Sequence, residues 1–253
     1  MFKEYFILLL LGHFLGDFYI QTKKMAEKKE KSLRWVLIHC LCYWIIMLLI
    51  SLPIISWKIA LAATVAAILH MVIDVIKFAY KFSKIKKGKM TLALKRNVFF
   101  VDQVFHIACL FGITYWVIIS NMPRVELKII KDFLDVVGVS GQFIISWVLA
   151  LLVIHKPANI VIQKLLMIYK PDSNDKDKKN DNNAGRFIGT VERIIMLIFL
   201  SIGQYSAIGL VLTAKSIARY DKIAKEPEFA EYYLLGTLLS TLLVIMASFV
   251  MKY

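Results

Sequence analysis

Five stretches of this chain, 35–52, 57–80, 98–120, 142–168 and 233–251, are apolar over about the length needed to cross a bilayer, and that leaves few folds open. Water does not reach the hydrocarbon core, so every backbone N–H and C=O there must be satisfied within its own segment, which a helix does. Two further runs belong to the same pattern. Residues 5–20, YFILLLLGHFLGDFYI, are short for a crossing, and 187–213 follow a polar gap. The expected fold is an all-α polytopic transmembrane helix bundle of about seven spans. The run 187–213 is either one straight span or a hairpin broken near Gly203-Gln204.

The gaps between the apolar runs carry the charge. The chain has 32 Lys+Arg against 18 Asp+Glu, a net charge of +14, with 59% hydrophobic residues. A nucleic-acid-binding domain would set its cations on a soluble surface. Here they punctuate greasy segments and can face anionic lipid headgroups, so membrane lipids are the expected partners and nucleic acid is not. Residues 21–34 read as a basic loop, with Lys23, Lys24, Lys28, Lys29, Lys31 and Arg34. Between 77 and 96 there are eight Lys or Arg and no acid. The positive-inside rule puts both gaps in the cytoplasm, as expected of a multi-pass protein of a cell membrane. Cys40, Cys42 and Cys109 all lie in apolar runs and are read as reduced thiols.

Within the first 120 residues three ionisable pairs at i,i+4 spacing interrupt the apolar runs: His13/Asp17, His70/Asp74 and Asp102/His106. That spacing puts both members of a pair on one helix face. His39 opens the run between the first two. The topology brings all seven to one depth near the cytoplasmic face, where ionisable groups are costly and need partners. Imidazole and carboxylate donors suit zinc, manganese or iron, as one or two ions. The metal ligands expected are His13, Asp17, His70, Asp74, Asp102 and His106, with His39 beside them as a catalytic group; Gln21 and Gln103 are placed to orient the ligands. A buried His-Asp bond that ties two helices together is the competing reading of any single pair.

The rest of the chain divides in three. Residues 121–169 read as a short interfacial helix, with Val125, Ile129, Ile130, Phe133 and Leu134 on one side, and a fifth span kinked at Pro157. Beside the kink, Lys156 is expected to fill a polar gap and His155 to be a satisfied histidine rather than a ligand. Residues 170–184 read as a disordered polar loop. Residues 185–253 hold C-terminal helices with basic pairs: Arg186 and Arg193 two turns apart, Lys215 and Arg219 one turn apart. These four would cradle a phosphate, unless Glu192 or Glu231 simply neutralises Arg186 and Arg193.

The stretches LGHFLGDFYIQTKKMAEKK, LHMVIDVIK and VDQVFHI, with His39, resemble the bacterial integral-membrane family designated domain of unknown function 3307. GRFIGTVERIIM, GLVLTAKSIARY and EYYLLGTLLS also look like its C-terminal pattern. The His-x-x-x-Asp spacing is similar to that of membrane-bound metal-dependent hydrolases. The family label implies no activity; the hydrolase likeness and the donor set together imply cleavage of a phosphate- or ester-containing, lipid-like or phosphorylated small substrate at the cytoplasmic leaflet. The alternatives are a transporter that passes protons or divalent cations along the His-Asp pairs, and a non-enzymatic component of a larger membrane assembly.

Overall fold

The computed structural model describes residues 2–52, 57–120, 128–170 and 184–252. All regular structure among them is helical: α1 (Phe2–Phe14), continued by a π-helical turn (Leu15–Ile20), α2 (Lys23–Lys29), α3 (Leu33–Ser51), α4 (Trp57–Lys86), α5 (Leu92–Ile119), α6 (Lys128–Val137), α7 (Gly141–Leu166), α8 (Ala184–Ser201), α9 (Tyr205–Ile217), α10 (Tyr220–Lys225) and α11 (Pro227–Lys252). Five of these, α3, α4, α5, α7 and α11, are long and apolar enough to cross a membrane. α1 with its π turn makes a sixth if joined to α2, from which it is bent by 91°. The chain is a multi-pass membrane protein. Of the two forms expected for 187–213, a straight span or a hairpin, the structure has the hairpin. Gly203, at φ 75°, ends α8 in the left-handed region that a glycine enters without strain, and α9 turns back along α8 until Lys215 Nζ lies 2.6 Å from Glu192 Oε2.

The chain divides into two compact units, residues 1–149 and 150–253. In the first, α1, α3, α4 and α5 pack around Leu9, Met47, Ala63, Ala66, Leu110 and Ile113. Small residues on α4, Ala62, Ala63, Ala66 and Ala67, let the neighbouring helices come close. The outward faces are apolar: Leu37, Leu41, Ile45 and Leu49 on α3 and Val104, Phe105 and Phe111 on α5 are exposed. The ionisable residues point inward, the reverse of a water-soluble bundle and the arrangement that a hydrocarbon solvent imposes.

Sequence signals set the helix ends. Thr22 and Thr91 cap α2 and α5 by accepting from Met25 N and Leu94 N, each at 3.2 Å, and Pro227 opens α11 where its missing N–H costs nothing. Gly88, at φ 63°, closes α4. α6 forms with Phe133 and Val136 exposed; Val125 and the rest of 121–127 lie outside the described residues. α7 is helical through Pro157. The polar loop expected at 170–184 falls almost wholly at 171–183, also outside the described residues.

Candidate metal centre

The centre begins with a close approach of α1 to α3. A Cβ on Gly12 would lie 2.6 Å from Met47 Sδ, and one on Gly16 would lie 2.6 Å from Tyr43 Cδ2, so both α3 side chains rest against bare backbone. At Leu15 the helix widens to π geometry, which rotates the residues that follow relative to an α-helix. Asp17 thereby reaches His39 and His70, while His13, one turn earlier, meets the Tyr43 hydroxyl through Nδ1 at 3.3 Å.

All seven expected donors come together in the first unit, none more than 9% exposed. His39 Nε2 lies 3.0 Å from Asp17 Oδ1, 3.2 Å from His70 Nε2 and 3.6 Å from Asp74 Oδ2. His70 Nε2 lies 3.6 Å from each of the same two carboxylate oxygens. Two triangles of donors therefore share the His39–His70 edge. A tetrahedral ion with bonds of about 2.0–2.2 Å sets its donors about 3.3–3.6 Å apart, close to the separations within each triangle. His39, expected beside the ligands, has its Nε2 at the middle of this set. Donor atoms of His13, Asp17 and His70, and of Asp17, Asp102 and His106, also lie within 4.8 Å of one another.

The far side of His70 is fixed as well. Its Nδ1 lies 3.2 Å from His106 Nδ1, and His106 Nε2 lies 3.3 Å from Asp102 Oδ1. Tyr43 stacks flat on the His70 ring, with centroids 3.8 Å apart and planes inclined by 3°. A metal-ligating histidine needs its second nitrogen engaged and its ring plane held, and His70 has both. His39 Nδ1 and His13 Nε2 are buried without a hydrogen-bond partner among the described residues.

Two lysines that read as loop and topology charges enter the centre. Lys29 Nζ lies 2.7 Å from Asp74 Oδ2 and 2.9 Å from Gln21 Oε1. Lys77 Nζ lies 2.7 Å from both Asp74 Oδ1 and Asp102 Oδ2. The stretch 21–34 is thus not only a loop: α2 folds across the end of the bundle and delivers Lys29. Lys77 was within reach of sequence reasoning, being three residues after Asp74 on one helix face. Lys29 was not, because its position depends on the bend after Ile20. Gln103 donates to Asp17 Oδ2 at 3.1 Å and to Asp102 Oδ2 at 3.3 Å. With neutral histidines, three carboxylates face two ammonium groups, which leaves one buried negative charge over. A cation or a proton on an imidazole has to offset it. The donor types, their spacing and this charge all fit a divalent ion.

The basic residues expected to hold phosphate lie in the second unit. Arg193 is buried, and its donors are engaged by Ile154 O at 2.6 Å, Asn159 Oδ1 at 2.8 Å, Thr190 Oγ1 at 3.2 Å and Ser240 Oγ at 3.3 Å. The carbonyl that Arg193 Nε meets, Ile154 O, lies three residues before Pro157. His155 is exposed. Lys215 is paired with Glu192, and Arg186 and Arg219 are exposed. Cys40, Cys42 and Cys109 are free thiols.

No curated protein and no solved structure matches this chain. A family model described as "Protein of unknown function (DUF3307)" matches residues 5–130, which include all seven His and Asp donors, Lys29 and Lys77 but none of the C-terminal stretches that resemble the family. The likeness to DUF3307 thus covers residues 5–130, from α1 into α6, just under half of the chain.

Proposed function

We propose that the protein is a metal-dependent hydrolase whose first unit holds a divalent transition-metal ion between Asp17, His39, His70 and Asp74. Its substrate is a phosphate- or ester-containing lipid-like molecule, met at the cytoplasmic leaflet. The observation that carries this reading is the donor set around the His39–His70 edge, with separations of 3.0–3.6 Å and an excess of one negative charge. Zinc, manganese or iron bound there supplies Lewis acidity and a nucleophile at neutral pH. His106, bridged to Asp102 and to the outer nitrogen of His70, is the group suited to hold and return a proton. Lys29 and Lys77 hold Asp74 and Asp102 as carboxylates.

Transport is less well supported. Beyond the polar cluster the same four helices are filled by Met47, Ala63, Ala66, Leu110, Ile113 and Val117, and the buried Ser51 and Thr114 hydroxyls there donate to their own helix backbone, so among the described residues no buried charged group continues through the bundle. On the other side polar groups lead outward by way of Gln21, Lys77 and the Lys81–Glu30 pair at 2.9 Å. A centre open toward one end suits chemistry at one leaflet.

The test is metal content followed by turnover. The purified full chain, loaded with zinc or manganese and desalted, should retain stoichiometric metal, and Asp17→Asn and His39→Gln should each lose it. Carboxyl-ester and phosphodiester lipid analogues in proteoliposomes should then be cleaved, with chelation abolishing cleavage and metal restoring it. Wild type that retains no stoichiometric metal, or turnover unchanged in Asp17→Asn, would sink the proposal. Cation flux across the liposomes without turnover would assign the centre to transport.

A further inference from the structure

The second unit contains a cavity of about 1400 Å³, larger than most small-molecule sites. Its lining includes five cationic side chains, Arg186, Arg193, Lys215, Arg219 and Lys222, against two carboxylates, Glu192 and Asp221. One carboxylate is already used, since Glu192 pairs with Lys215. Arg193 is satisfied by neutral acceptors alone, and Gln163, with its amide oxygen turned toward Arg186, accepts from Nε and Nη2 at 2.8 Å. Lys222 Nζ also lies 3.9 Å from Glu226 Oε2, and the five cations still outnumber the three carboxylates, Glu192, Asp221 and Glu226, beside them. Aromatic rings steady two of the cations: Lys215 Nζ lies 5.6 Å from the Tyr233 centroid and Lys222 Nζ 4.6 Å from that of Phe229.

A second observation is independent of charge. Thr237, only 9% exposed, lines the cavity with its hydroxyl buried. The Tyr233 hydroxyl, on the same wall, is likewise buried, within hydrogen-bonding reach of the Thr237 and Ser216 hydroxyls. Hydroxyls gathered on one wall can turn to donate outward, so a ligand with several acceptor oxygens is the natural complement. Ile162, Ile188 and Phe229 add apolar wall beside the cations.

We infer that this cavity binds a phosphate group through Arg186, Arg219 and Lys222, with the Thr237 and Tyr233 hydroxyls as further donors. Arg193 contributes its field from behind rather than a contact. The phosphate is that of an anionic lipid headgroup or of a soluble phosphorylated compound. The inference stands apart from the metal centre and uses none of its residues.

The experiment uses the full chain in neutral detergent, read by native mass spectrometry and thermal shift. Phosphatidylglycerol should bind saturably and phosphatidylcholine at least about tenfold more weakly, the scale of one lost charge-assisted hydrogen bond. Arg186→Gln and Arg219→Gln should each weaken phosphatidylglycerol about tenfold or more, and Lys89→Gln, in the other unit, should not. Both arginines are exposed, so their variants should keep the wild-type elution profile. Inorganic phosphate and glycerol phosphate separate the sources. Competition by either at comparable affinity assigns the site to soluble phosphates, and absence of competition assigns it to lipid. Equal binding of the two lipids, or binding untouched by both variants, overturns the inference. Binding should persist in Asp17→Asn, so its loss does not follow from failure of the metal centre.

Discussion

At the scale of single residues, Lys77 carries the most stabilising charge in the first unit, because its ammonium group touches Asp74 and Asp102 at 2.7 Å each. Removing one partner of a buried ion pair strands the others, typically at about 3–5 kcal/mol. Lys77→Met should therefore lower the stability of metal-free protein by an amount of that order in denaturant titration. Added zinc should recover part of the loss, since a divalent ion offsets the same carboxylates. No recovery would mean that the metal does not reach this cluster. Tyr43 separates two roles. Tyr43→Phe keeps the ring on His70 and loses only the hydroxyl near His13, about 1 kcal/mol of stability with little effect on zinc affinity. Tyr43→Leu removes the stack and should weaken zinc about tenfold or more, the usual range for a group that orients a ligand. Equal affinities in the two variants would deny the ring that role.

Among elements, the join of α1 to its π turn decides whether Asp17 reaches the centre, and two glycines allow that join to lie on α3. Gly16→Ala drives a methyl group into the Tyr43 ring, which is already held against His70; a cost of about 1–3 kcal/mol and weaker metal binding should follow. Gly12→Ala meets the thioether of Met47, which can change rotamer, so its cost should be the smaller when the two are compared by thermal shift. The i,i+4 pairs were legible because α4 and α5 are regular through His70, Asp74, Asp102 and His106. The π turn was not legible, since nothing in LGDFYI marks a change of helical pitch. The 91° bend that delivers Lys29 was hidden for the same reason, because a run of lysines after a span reads first as a topology signal. In the second unit the break at Gly203 could be read from the glycine and from the charge rule. The partners of Arg193 are carbonyl, amide and hydroxyl groups spread from Ile154 to Ser240, and no local pattern announces them.

At the scale of the molecule, the depth of the centre follows from how four helices of the first unit alternate across the bilayer. α1 ends, α3 begins, α4 ends and α5 begins at the same side, where Lys29, Lys77 and Lys81 are joined to Asp74, Asp102 and Glu30. The lysine-rich turn after α4 continues from that side, while Trp57, 72% exposed, opens α4 at the other. On the positive-inside rule we propose that these lysines are cytoplasmic and that the candidate metal centre lies near the inner leaflet. Single cysteines in a cysteine-free background test this in intact cells. Lys24→Cys and Lys87→Cys should react with a membrane-impermeant maleimide only after permeabilisation, and Trp57→Cys should react without it. Labelling of all three from one side would break the four-crossing arrangement. The reverse pattern, with Lys24→Cys and Lys87→Cys labelled from outside, would keep the bundle but move its donors to the outer leaflet, where a cytoplasmic substrate could not meet them.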